Sequence, residues 1–143
     1  MPERNVFQYA VLKVVPSIER GECFNAGVVL LCRPRRFLGA RTWLDRRCLA
    51  ALAPACDPAR VQGYLDALER IAAGDPEAGP IARLDPAERF HWLVSPSSTI
   101  VQPGPVHSGL CDDPAATLDH LFATLVQRPA TAPEPTTPPP APP

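Results

Sequence analysis

Residues 6–15 read VFQYAVLKVV, ten positions dense in β-branched and aromatic side chains, with apolar groups on both parities. Such a run predicts a strand covered on both faces, and Pro16 closes it. Pro16 to Gly21 reads as a turn. Glu22 to Cys32 follows as a second strand, whose polar entry gives way to the apolar run Val28-Val29-Leu30-Leu31. Arg33-Pro34-Arg35 is a short link. Arg36 to Asp45 then places Phe37, Arg41 and Trp43 on one parity and Leu38, Thr42 and Leu44 on the other. Three strands joined by short links predict an antiparallel meander whose last strand is an edge or half-exposed.

Helical spacing takes over after residue 48. Leu49, Leu52 and Ala53 predict a short first helix. Asp57-Pro58 is an N-cap followed by proline at the first helical position, where its missing N–H does no harm. Val61, Tyr64, Leu65, Leu68, Ile71 and Ala72 then recur on one stripe, and Gly74 ends a helix over 58–73. The same Asp-Pro-Ala opening returns at Asp85 and Asp113, each 28 residues after the last. The residues that follow share no apolar pattern, so these are three capping signals rather than a repeat. The last opens a helix over 114–127 with Leu118, Leu121, Phe122, Leu125 and Val126 on its buried stripe.

Between those caps, Thr99–Gln102 predicts a short strand, and Pro103-Gly104-Pro105 predicts a turn because neither proline can donate to a ladder. From Pro129 onward eight of fifteen residues are proline. That predicts a disordered, polyproline-prone tail over 129–143 after a single domain over 1–128. The expected fold class is α+β: an antiparallel sheet made of the N-terminal three-strand meander plus a strand near 99–102, packed against two or three helices. Pairing of that fourth strand with the meander would bring the polar turn at 19–25 close to the 97–107 loop.

Composition narrows the function classes. The chain has 143 residues, a net charge of -1 and a pI near 6.3, which argues against generic binding to nucleic acid or an anionic membrane. The average hides a split: residues 1–47 carry nine Lys/Arg against four Asp/Glu, residues 48–143 five against eleven. The five cysteines, Cys23, Cys32, Cys48, Cys56 and Cys111, show no CxxC spacing, and several sit in apolar runs, so reduced thiols are expected. No basic segment leading into an apolar one opens the chain, and no run approaches the roughly 18 apolar residues of a membrane span. A cytoplasmic protein is the expectation.

Two polar segments stand out against this apolar frame. Glu19, Arg20, Glu22 and Asn25 crowd the entry to a core strand, where unpaired polar groups are costly. Arg20 could hold an anion oriented by a carboxylate and Asn25, or the same residues could simply fix the turn. The second segment holds Ser97, Ser98, Thr99, Gln102 and His107, which combine small hydroxyls, an amide and an imidazole. No GxSxG elbow aims a serine at His107, so a hydrolase reading is weak. Cys111 lies four residues beyond His107 but borders a helix cap, which favours a packed thiol. His91, His107 and His120 lack HxH or HxxxH spacing, and no metal or cofactor is expected. The arginines Arg33, Arg35, Arg36, Arg41, Arg46 and Arg47 form a third feature, three of them on one link. They could meet phosphate, RNA or an acidic protein face; with only Phe37 and Trp43 interleaved, base stacking is disfavoured and a protein partner fits better.

The strand pattern and the two polar segments together carry a resemblance. Phe7-Gln8-Tyr9-Ala10-Val11-Leu12, Val15-Pro16 and Glu19-Arg20-Gly21-Glu22-x-x-Asn25-x-Gly27-Val28-Val29-Leu30 are similar to the opening of an uncharacterised bacterial family, domain of unknown function 3037. Ser98-Thr99-Ile100-Val101-Gln102-Pro103-Gly104-Pro105-Val106 and Gly109-Leu110 resemble its second recurrent block, and the likeness spans about residues 5–127. Cys23 and Ala26 depart from it, standing where relatives tend to carry a larger apolar residue. No activity comes with the resemblance and no catalytic residue is carried over. It implies an association of some members with genes for HipA-like kinases, which makes such a kinase the first partner to consider.

The functional expectation is therefore a non-enzymatic binding or accessory module of the bacterial cytoplasm, engaging a partner protein. The alternative is a small-ligand or phosphate-handling enzyme built on the 19–25 turn and the 97–107 loop, with Arg20 and Gln102 positioning and Glu22 or His107 as base.

Overall fold

A computed structural model describes residues 4–97 and 99–127; Ser98 and the expected tail lie outside the described residues. Three strands, β1 (Asn5–Val14), β2 (Phe24–Cys32) and β3 (Phe37–Thr42), form the antiparallel meander. Two further short strands, β4 (Val101–Pro103) and β5 (His107–Cys111), both pair antiparallel with β1. Val14 faces Val101 and Leu12 faces Pro103, while Tyr9 faces His107 and Asn5 faces Cys111. The sheet therefore runs β3-β2-β1 and then a divided edge of β4 and β5.

That divided edge corrects two expectations. Pro103-Gly104-Pro105 does not reverse the chain: the strand resumes on β1 in the same direction, with residues 104–106 standing opposite only Ala10 and Val11. It is a bulge, anchored by the Gly104 N–H donating to the Val11 carbonyl at 2.7 Å. An edge tolerates prolines because one side of the ladder has no partner to lose. β5 itself was not expected, since His-Ser-Gly-Leu-Cys lacks a β-branched run.

The third strand also ends earlier than its alternation suggests. Asp45, only 8% exposed, turns its carboxylate onto the backbone N–H groups of Arg47 and Cys48 at 3.0 and 3.1 Å. It thereby N-caps helix α1 (Arg46–Leu52). All three Asp-Pro-Ala signals are helix starts. Asp57 caps α2 (Pro58–Ala73), Asp85 caps α3 (Pro86–Leu93) and Asp113 caps α4 (Pro114–Leu125). In each, the aspartate accepts from a first-turn N–H and proline occupies the position that needs no donor.

Alternation along the strands sends side chains to two apolar layers. Ala10, Leu12, Val14, Val29 and Leu31 meet Leu49 of α1, Val61 and Leu65 of α2, and Phe90 and Leu93 of α3. On the opposite face Phe7, Val28, Leu30 and Cys32 meet Leu118 and Phe122 of α4 and Val126 just beyond its end. The fold is α+β, an open antiparallel sheet with helices on both faces. Tyr64, read from its spacing as part of the buried stripe of α2, is instead 40% exposed, because α3 leaves that part of the helix uncovered.

The register between β1 and β2 slips once. Leu12 faces Gly27 but Lys13 faces Asn25, so Ala26 is the extra residue of a bulge. Without the slip, Asn25 would share the parity of Val29 and Leu31 and enter the apolar layer. With it, Asn25 turns to the α4 side while Phe24 and Ala26 stay buried against α1–α3.

Candidate functional site

The polar turn is held together by its own residues. Gly21 takes a left-handed conformation, φ 70°, and its N–H donates to the Ser17 carbonyl at 3.2 Å. Arg20 donates from Nε to Glu22 Oε1 at 2.8 Å and also pairs with that oxygen through Nη2. Glu19 is exposed. Asn25 reaches further, donating from Nδ2 to the Leu125 carbonyl at 3.0 Å. Carbonyls in the last turn of a helix have no intrahelical donor, so this bond ties the end of α4 to the start of β2.

The second segment is equally self-contained. The Thr99 hydroxyl donates to the Val101 carbonyl at 2.7 Å and accepts from Ser97 Oγ at 2.8 Å, while the Thr99 N–H donates back to Ser97 Oγ at 3.2 Å. Gln102 Nε2 donates to the Thr99 carbonyl at 3.1 Å. His107 lies against the Tyr9 ring at 5.3 Å between centroids, and Tyr9 in turn stacks on Phe7 at 6.0 Å.

Register relates the two segments. Lys13 pairs with Asn25 on one side and Gln102 on the other, so these three form one row across the sheet. Two strand spacings put Asn25 and Gln102 roughly 10 Å apart. His107 is not in that row: its partner Tyr9 lies four residues earlier on β1, about 14 Å along the strand. Asn25 lines a cleft with Thr124 and Gln127, whereas Gln102 lines another with Ser97 and Pro105. Lys13 was not among the expected site residues; the signal that could have marked it is that it is the chain's lone lysine, set among apolar neighbours.

The arginines divide. Arg41 donates to Asp119 Oδ1 at 2.7 Å and lies 4.5 Å over the Phe122 ring, so it belongs to the docking of α4. Arg33 donates to His91 Nε2 at 3.2 Å and Arg35 to the Asp112 carbonyl at 3.3 Å. Arg36 closes the same turn with φ 49°. Arg33, Arg35 and Arg36 stay exposed, but at the opposite end of β2 from Asn25, about 25 Å away along the strand.

The thiols complete the chemical inventory. Cys32 and Cys111 are buried under α4. Burial pushes the Cys111 thiol up, and the neighbouring Cys32 pushes it further. His107 lies on the same strand four residues away, about 13 Å along it, too far to deprotonate Cys111. Cys23 is exposed. Alkylation of the native protein should therefore modify Cys23 first, with Cys32 and Cys111 reacting only on unfolding; mass spectrometry of a time course checks the order. Among the described residues no cluster of His, Cys, Asp or Glu is placed to hold a metal ion, and no helix is long and apolar enough to cross a membrane.

Compared with known proteins, the chain matches no curated protein and no solved structure. Residues 9–126, from Tyr9 in β1 to Val126 at the end of α4, match the family described as "Protein of unknown function (DUF3037)", and the chain belongs to that family.

Proposed function

We propose that the protein is a non-enzymatic binding module of the bacterial cytoplasm, engaging a partner protein through the part of the sheet that α4 leaves open. One observation carries this reading. α4 packs on β2 and β3, and beside it Tyr9, Val11 and Lys13 of β1 are only half-buried while His107 of β5 is exposed. An aromatic and cationic strip on a rigid sheet, next to a helix, suits a protein surface carrying acidic or aromatic groups. The hydrogen bonds of Glu22, Ser97, Thr99 and Gln102 within their own turns support a fold-keeping role for those residues rather than a chemical one.

The family association makes a HipA-like kinase the first partner to test. Full-length protein should retain a co-expressed HipA-like kinase through affinity purification, and the double variant Lys13→Glu with His107→Glu should lose it without loss of fold. Retention by the variant, or no retention by either protein, would count against this reading.

A further inference from the structure

On the face opposite α4 lies a groove of about 360 Å³ between α2, the end of α3 and β4. Its floor is Leu12, Leu68 and Val101, and two aromatic side chains stand at its rim, Tyr64 and Trp92, the latter 46% exposed. Pro96 and Pro103 also line it. Neither the Tyr64 hydroxyl nor the Trp92 indole N–H has a hydrogen-bond partner among the described residues. Two outward aromatics over an apolar floor are costly to leave in water and are not needed by the core, which is complete beneath them.

Polyproline segments dock on such surfaces. Their rings slot between aromatic side chains, and their carbonyls, having few N–H groups of their own to satisfy, take hydrogen bonds from indole and hydroxyl donors. This chain carries such a segment: Pro135-Thr136-Thr137-Pro138 and Pro139-Pro140-Ala141-Pro142 both have PxxP spacing. The distances allow it to reach. Gln127, where the described chain ends, shares a cleft with Asn25. Asn25 lies two strands from Gln102, whose neighbours Val101 and Pro103 line the groove. The sixteen residues 128–143 span about 50 Å in the polyproline conformation. That exceeds the roughly 10 Å across the row, with enough left to pass round the β4 edge.

We infer that the Tyr64–Trp92 groove is the docking site of the chain's own proline-rich C-terminal segment, so that the groove is covered by residues from the 135–142 stretch.

The test uses full-length protein carrying Trp43→Phe, which leaves Trp92 as the sole tryptophan. Acrylamide quenching of Trp92 should be roughly twofold weaker than in the same protein with Pro138→Ser, Pro139→Ser and Pro140→Ser, as expected for a ring covered by a docked segment. A synthetic peptide of residues 128–143 should restore the protection in the proline variant. Unchanged far-UV circular dichroism checks that both proteins keep the same fold. Equal quenching in both proteins would overturn the inference. Protection that rises with protein concentration would also overturn it, by assigning the groove to the tail of a second copy.

Discussion

Replacing Gly27 with valine is expected to destabilise the protein by about 3 kcal/mol, near the upper end for inserting bulk into a packed site. A side chain at this position would start 2.9 Å from Thr42 Cγ2, 3.0 Å from the Arg41 carbonyl oxygen and 3.3 Å from Leu12 Cδ1. The carbonyl belongs to the paired strand β3 and cannot withdraw without breaking the ladder. Thr42 is also pinned, because its N–H and hydroxyl both donate to Glu69 Oε1 at 2.7 and 2.8 Å. The damage should extend to the neighbouring bulge, and through it to the Asn25 bond with α4. Urea unfolding checks the size, and amide exchange near Leu125 checks the spread; an unchanged midpoint would show that the strands separate more easily than their contacts suggest.

Truncating Phe90 to alanine should cost about 3–5 kcal/mol, the usual range for emptying a large aromatic site. Phe90 is 2% exposed and is the largest of the fully buried side chains. It joins α3 to the layer formed by β1, β2 and α2. A domain of this size has about 5–15 kcal/mol in hand, so the variant should sit close to unfolding at 37 °C. Phe90→Leu keeps most of the volume and should retain a cooperative transition. Comparable midpoints for the alanine and leucine variants would mean that the layer collapses to fill the space.

The sequence was most readable where structure is decided locally. An aspartate followed by proline satisfies a first-turn donor and omits the next, a choice made within four residues; the three Asp-Pro-Ala starts open α-helices, and Asp75-Pro76 opens a short 3-10 turn. The apolar strand patterns were readable for a related reason, since period two maps directly onto two faces. What escaped was set by partners distant in sequence. The slip at Ala26 exists only in the pairing of β1 with β2, and it decides which face Asn25 takes. β5 becomes a strand because β1 offers it a ladder, not because its residues favour one. Tyr64 has the spacing of a core residue but lies where no neighbouring element covers it. The polar side chains of the candidate site could be named from sequence, while their grouping could not. That Lys13, rather than Arg20, stands between Asn25 and Gln102 is a fact of register.

The divided edge has one more consequence. Sheets with free borders recruit further strands, from copies of themselves or from other chains, and so drift toward polymers. Here the β4–β5 border is interrupted by Pro103, Pro105 and an unmatched residue, which deprive an incoming strand of a continuous row of donors. At the far border Glu69 occupies the Thr42 N–H. Both margins thus carry features that hinder growth by strand addition.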